Sequence, residues 1–172
     1  MKFSLAMSRF HHVGLTVRDI ERSYRFYSEI VGMHVWNQDE VLGTTRAVES
    51  HTESPADGPE LVTIRSDEFD KLTNAQGTEL KYLMLQSSDG ALIFQLIEYV
   101  KGKQGELQLD HARAGSMHFS FFVDDVAAKY AELGARDDVS VTSEIVQISP
   151  SMRSFYAEDP DGVPVEFMEL TL

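Results

Sequence analysis

The sequence predicts an α+β fold made of two βαβββ modules, and three features carry that prediction. The first is an internal repeat. His12-Val13-Gly14-Leu15-Thr16-Val17-Arg18-Asp19-Ile20 is matched by His118-Phe119-Ser120-Phe121-Phe122-Val123-Asp124-Asp125-Val126, each opening on His and reaching Asp at the same offset. The second is a switch of hydrophobic period, from two inside each run to 3.6 just after it, which reads as strand then helix. The third is a pair of matching endings. Phe94-Gln95-Leu96-Ile97-Glu98 and Val165-Glu166-Phe167-Met168-Glu169 each follow an Asp-Gly turn, at offsets that differ by a small indel.

The elements follow in order. Strand 10–17 comes first, and Asp19 stands where a helix N-cap belongs. Ile20, Tyr24 and Tyr27 lie at i, i+4 and i+7, one apolar stripe for a helix over 19–31 that Gly32 can stop. A strand over 33–37 leads into an insertion around 42–66, where Glu53-Ser54-Pro55-Ala56-Asp57-Gly58-Pro59 has loop composition. That insertion reads as a lid or as a plain excursion of the chain, with a helix over 66–72 anchoring part of it. Strands 80–86 and 91–99 complete a first module of residues 10–99, and 100–114 is a linker. The second module, 115–172, reads as strand 115–123, helix 125–134 capped by Asp125 and ended by Gly134, then strands near 139–148, 152–158 and 163–171.

Composition bounds the function. The chain has 172 residues with 15 Lys+Arg against 28 Asp+Glu, a formal charge of −13. This acidity supplies no basic stripe for nucleic acid or for an anionic membrane surface. No apolar run approaches the roughly 18 residues of a membrane span. The first seven residues are too short for a signal peptide, so a cytoplasmic protein is expected. Zero cysteines exclude disulfides, thiolate metal sites and Cys nucleophiles.

Period two also assigns faces. Val13, Leu15 and Val17 belong under the helix, with His12, Gly14 and Thr16 opposite. Phe119, Phe121 and Val123 likewise leave His118 and Ser120 opposite. In the closing strands Leu92, Phe94 and Leu96 face the helix and Gln95 points away; Val163, Val165 and Phe167 face it and Glu166 points away. Two such curved sheets side by side make a cup with helices outside, into which His12, Gln95, His118 and Glu166 converge. Two imidazoles, an amide oxygen and one carboxylate suit Zn, Ni, Co, Mn or Fe(II). A lone strand histidine is more often a hydrogen-bonded structural residue, and Gln95 and Glu166 alone fit half-exposed strands. The matched placement of all four in the repeat is what favours a metal. His11, His34, His51 and His111 lack such matches, and His11 is expected to face away from His12. Glu98 and Glu169 recur in register with a structural or surface role. Tyr156 and Arg153 are candidates to bind substrate as donor and anion clamp, with solvent exposure the competing reading for each.

At Phe10-His11-His12-Val13-Gly14-Leu15-Thr16-Val17-Arg18-Asp19-Ile20, Met117-His118-Phe119-Ser120-Phe121-Phe122-Val123-Asp124-Asp125-Val126 and Asp159-Pro160-Asp161-Gly162-Val163-Pro164-Val165-Glu166, the chain resembles the vicinal oxygen chelate superfamily. That superfamily spans glyoxalases, epimerases, extradiol dioxygenases and bleomycin-resistance proteins. The resemblance implies paired βαβββ modules around one divalent ion, with His12, Gln95, His118 and Glu166 as ligands. This set is most similar to that of methylmalonyl-CoA epimerase; glyoxalase I usually has Glu at the Gln95 position. It implies a lyase, isomerase or epimerase that abstracts a proton next to a metal-bound carbonyl through an enediolate or enolate, with Glu166 or a non-ligand group as base. The alternatives are an Fe(II) extradiol-type dioxygenase using His12, His118 and Glu166, and a non-catalytic, resistance-type binder of small molecules. The substrate is a small molecule; a coenzyme A ester would call on Lys101 and Lys103. A homodimer is expected on resemblance alone.

Overall fold

The computed structural model describes residues 10–36, 49–53, 58–65, 67–74, 76–102, 105, 111 and 113–171. Contacts divide the chain into two compact units, residues 1–20 with 32–103 and residues 21–31 with 104–172. Each unit holds a mixed sheet with sparse helix, the α+β, two-module fold of the sequence reading.

The first unit's strands are β1 (Val13–Val17), β2 (His34–Val35), β3 (Glu49–Glu53), β4 (Leu61–Arg65), β5 (Glu79–Gln86) and β6 (Ile93–Lys101). They order as β1-β6-β5-β4-β3, and β2 pairs with β5 beyond the end of β4. The first and last strands, β1 and β6, lie parallel. The expected strand over 33–37 is thus cut to two residues, and β4 carries that edge onward. The described part of the insertion is sheet: β3 pairs antiparallel with β4, and Leu61, Val62, Thr63 and Ile64 are all buried. The helix expected at 66–72 is α2 (Asp67–Thr73), whose Phe69 packs against Val62, Ile64, Leu80, Tyr82 and Met84. Asp70 on α2 accepts from the backbone N–H groups of Gly77 and Thr78, closing the turn into β5.

The second unit repeats the plan with β7 (Phe119–Phe122), β8 (Ser140–Val141), β9 (Val146–Ser149), β10 (Met152–Glu158) and β11 (Pro164–Leu170), ordered β7-β11-β10-β8 with β9 also on β10. Again the first and last strands, β7 and β11, are parallel. The strand expected over 139–148 is broken into β8 and β9. Across the break the Tyr156 N–H donates to the Ser143 hydroxyl at 2.8 Å, so the ladder loses a backbone acceptor without orphaning a donor.

The helix of each module starts as the pattern foretold, with an additional anchor. Helix α1 (Ile20–Arg25) runs on into a π-helical turn at Phe26–Ile30, and Gly32 follows in the left-handed region at φ 84°. Helix α3 (Val126–Gly134) is capped by Asp125, whose carboxylate accepts from the N–H groups of Ala127 and Ala128 at 2.9 Å each. Gly134 is simply the last helical residue, and Ala135 forms the right-handed cap instead. The recurrent Glu98 and Glu169 have matching work: Glu98 accepts from Ile20 N–H at 2.9 Å, and Glu169 from Val126 N–H at 2.8 Å. Each closing strand therefore satisfies one orphan donor at the start of its module's helix.

Chain order assigns α1 to the first module, but contacts place Glu21–Val31 in the second unit. The anchor is a fully buried hydroxyl: Tyr27 donates to Asp159 at 2.9 Å. The other Asp159 oxygen accepts from Asp161 N–H and Val163 N–H, shaping the Asp159-Pro160-Asp161-Gly162 turn. Burial raises the Asp159 pKa, and the backbone bonds and Tyr27 oppose it; burial likewise lifts Tyr27, with the Asp159 charge adding to it. Both Asp-Gly turns place their glycine in the left-handed region, Gly90 at 74° and Gly162 at 87°. The one-residue indel is visible in the bonds that close them, Ser87 N–H to Leu92 and Asp159 N–H to Val163. No helix among the described residues is long and apolar enough to cross a membrane.

Two measurements test the caps. Asp125→Ala should lower stability by about 1 kcal/mol in urea unfolding. Glu169 carries a carboxyl held below its usual range, first by the Val126 N–H and then by Arg153. Its contribution is present above the ordinary glutamate pKa and is lost as pH falls through the depressed folded value. Glu169→Gln should therefore flatten the acid limb of the melting-temperature profile below about pH 4; an unchanged acid limb would refute the assignment.

Candidate functional site

The site is built on the parallel pairs β1–β6 and β7–β11. Gly14 stands opposite Gln95, and Ser120 opposite Glu166, so the repeat is kept at residue level. A Cβ added to Gly14 would make only ordinary contact with the Gln95 side-chain oxygen, at 3.8 Å, which places that oxygen over β1. The two histidines, His12 and His118, directly precede β1 and β7 and are exposed.

In the second unit the helix covers the opposite face. Tyr130 of α3 meets Phe155 edge-on at 5.1 Å between ring centroids, Phe155 stacks on Phe167, and the Lys129 ammonium lies 5.8 Å over Phe167. Glu166 alternates with Val165 and Phe167 and so points to the helix-free face. There its carboxylate lies 3.8 Å from His118 Nε2, with the Glu166 side chain 15% exposed and His118 45%. Tyr156 is the cross-strand partner of Glu166, and its ring meets His118 edge-on at 5.6 Å. Burial first, then the Glu166 charge, raises the Tyr156 pKa, which keeps the phenol protonated and a donor.

Other expected residues are placed differently. Arg153 lies three residues from Tyr156 and therefore on the opposite face, where its guanidinium grips both oxygens of Glu169 at 2.8 Å. The structure does not bring it beside Tyr156 and Glu166. His11 does not face away from His12: their Nδ1 atoms are 2.7 Å apart, because both precede the strand and escape its alternation. One Nδ1 carries the proton and the other accepts it; His12 Nε2 holds a free lone pair in the tautomer in which His12 Nδ1 is the donor. Lys101 is exposed at the end of β6, and Lys103 lies outside the described residues.

His111 is the residue that sequence reasoning missed. Its ring lies 4.8 Å from Tyr156 and 6.4 Å from His118 by centroids. It sits in the stretch assigned to the linker, and no repeat partner marks it.

The donor chemistry fits a borderline divalent cation. Two metal–ligand bonds of about 2.1 Å span at most about 4.2 Å, so His118 and Glu166 at 3.8 Å fall within reach of one ion. Among the described residues no group of three or more His, Cys, Asp or Glu is gathered as a metal cluster. The second unit presents a close pair, His118 with Glu166; in the first unit Gln95 lies opposite Gly14, and His12 precedes β1 beside His11.

Comparison with known proteins bears on the whole chain. The uncharacterized protein YwbC of Bacillus subtilis (strain 168) is 28% identical over 161 residues, covering 94% of this chain and 97% of YwbC. A glyoxalase family protein from Bacillus cereus shares the fold over the full length of both chains, with a TM-score of 0.69 at 15% identity. The trypanothione-dependent glyoxalase I of Leishmania major gives 0.54 at 20% identity, covering 95% of this chain and 87% of that one. The family model of the glyoxalase/bleomycin resistance protein/dioxygenase superfamily matches residues 9–167. With that match, the repeated strand pairs and their polar partners, the chain belongs to the glyoxalase/bleomycin resistance protein/dioxygenase superfamily.

Proposed function

We propose that this protein is a divalent-metal-dependent lyase, isomerase or epimerase that moves a proton on a carbon next to a substrate carbonyl. His12, Gln95, His118 and Glu166 are its metal ligands and Glu166 its base. The observation that carries this reading is the polar pair of the second unit, Glu166 3.8 Å from His118 and on the helix-free face, with Gln95 in the first unit at the register position that Glu166 holds in the second. The similarity of the His/Gln/His/Glu set to that of methylmalonyl-CoA epimerase supports the choice of reaction class.

A divalent cation, when bound, stabilises negative charge on a carbonyl oxygen and acidifies the neighbouring C–H. Glu166 takes that proton as the C–H electron pair moves toward the carbonyl, and returns it to the same or the adjacent carbon. Tyr156, kept protonated beside Glu166, donates to a substrate oxygen. Its backbone is pinned on both sides, by Ser143 and by Thr142 N–H at 2.9 Å, which holds the ring in place. His111 packs on that ring and narrows its freedom.

Protein purified without chelator or histidine tag should carry about one equivalent of Zn, Ni, Co or Mn by elemental analysis. It should catalyse solvent deuterium exchange into 2-oxo or thioester substrates. Glu166→Ala should lose both the metal and the exchange. Glu98→Ala, which removes a helix contact on the other face, should keep the metal and cost about 1 kcal/mol in unfolding. Iron with oxygen uptake on catechols would replace this reading with the dioxygenase one, and ligand binding indifferent to EDTA would replace it with a binding role. Tyr156→Phe should leave metal content intact and slow exchange on the order of a hundredfold. An unchanged rate would remove Tyr156 from the site.

A further inference from the structure

The helix-free face of the second unit has a second character that the polar pair does not use. Stepping along β11 from Glu166, the next row on that face is Phe122, Met168, Ser154 and Val146, and beyond it lie Leu170 and Met152. Phe122 is 67% exposed, Val146 49% and Leu170 46%, on strands whose other face is packed. Isolated exposed apolar residues are ordinary, but Phe122, Met168 and Leu170 are neighbours on this face, with buried Ser154 between them and Val146, and an apolar patch beside a polar pair marks a binding surface.

Charge identifies the occupant. Among the described positions of β7, β10 and β11, this face holds no Lys or Arg, and Arg153 is on the other side with Glu169. Its fixed charges are the carboxylates Glu166 and Glu158, in a chain of net charge −13.

We infer that the substrate carries an uncharged, apolar body, aryl or alkyl, next to its chelating oxygens, and that Phe122, Met168 and Leu170 bind that body. This rests on the metal-dependent reading for the position of the oxygens, not for the apolar surface. A phosphorylated or coenzyme A-bearing substrate would find no Lys or Arg among the described β7, β10 and β11 positions of this face to receive it, and burying its charge unpaired is costly.

Two readouts separate this inference from the metal reading. The first uses metal-free protein and N-phenyl-1-naphthylamine, a neutral apolar fluorophore. Its emission should rise with wild type and fail to rise with the double variant Phe122→Ser, Leu170→Ser. Both residues are exposed, so the variant's melting temperature should match wild type. The second is calorimetry on metal-loaded protein with chelators that share a hydroxamate head. Octanohydroxamate should bind about tenfold or more tighter than acetohydroxamate or the succinic monohydroxamate, as burial of an alkyl chain implies. The double variant should erase that preference while leaving acetohydroxamate affinity unchanged. If the dye binds and no hydroxamate does, the metal reading fails and the apolar surface stands. Equal hydroxamate affinities, a preference for the anionic one, or no dye binding by wild type would overturn the inference. So would a wild-type dimer that excludes the dye and dissociates in the double variant, since a second copy would then be the occupant.

Discussion

The parallel pairing of the first and last strands in each unit is the constraint from which the rest follows. Parallel neighbours need a long crossover, so everything between His12 and Gln95, and between His118 and Glu166, must be threaded between two adjacent strands. Register is then locked by burial. Phe94 and Leu96 in β6, and Val165 and Phe167 in β11, are all at or below 1% exposed. A slip by one residue would turn them outward and bring Gln95 and Glu166 into the core. The placement of the polar pair is thus a by-product of the most strongly driven packing in the molecule.

The same register supplies the opposite face with its helix anchors. Glu98 follows Gln95 by three residues and Glu169 follows Glu166 by three, an odd step that changes face. Each reaches the first N–H of its module's helix. In the second unit Arg153, across the ladder from Glu169, completes a network that ties β10, β11 and α3 together. The Tyr27–Asp159 bond then joins the π-helical turn to the Asp-Gly turn that aims β11. A buried carboxylate left with an unmatched oxygen is expensive, and the phenol supplies the missing donor.

Much of this was legible in the sequence because it repeats. Strand 152–158 and helix 126–134 were read within a residue, Asp125 caps as its position suggests, and α2 lies one residue from the expected helix. What escaped depends on partners distant in sequence or on places where periodicity ends. The unit to which α1 belongs is decided by a phenol finding Asp159, which chain order cannot show. The insertion around 42–66 has loop composition at 53–59, yet Leu61-Val62-Thr63-Ile64 just after that stretch is a buried run too short to distinguish from other apolar segments by period alone. His11 and His12 stand before the strand starts, so alternation says nothing of them. The odd spacing of Arg153 and Tyr156 already sets them on opposite faces of β10, but that Arg153 is held by Glu169 shows only in the pairing of β10 with β11; His111 lies in a segment with no periodic signal.

The contrast between Glu166 and Glu169 explains how one strand can serve both structure and chemistry. The two residues share a type, a strand and a neighbourhood, but not their partners. Glu169 has its oxygens committed to a helix N–H and a guanidinium, which holds its carboxyl below the usual range and makes it a poor proton acceptor. Among the described residues no hydrogen bond reaches Glu166, and the His118 imidazole stands at 3.8 Å, too far to satisfy it. A half-buried carboxylate without a donor is an unmet demand for a cation or a proton. The fold meets that demand for Glu169 from within and leaves it open for Glu166, so a ligand at Glu166 need not compete with an internal hydrogen bond.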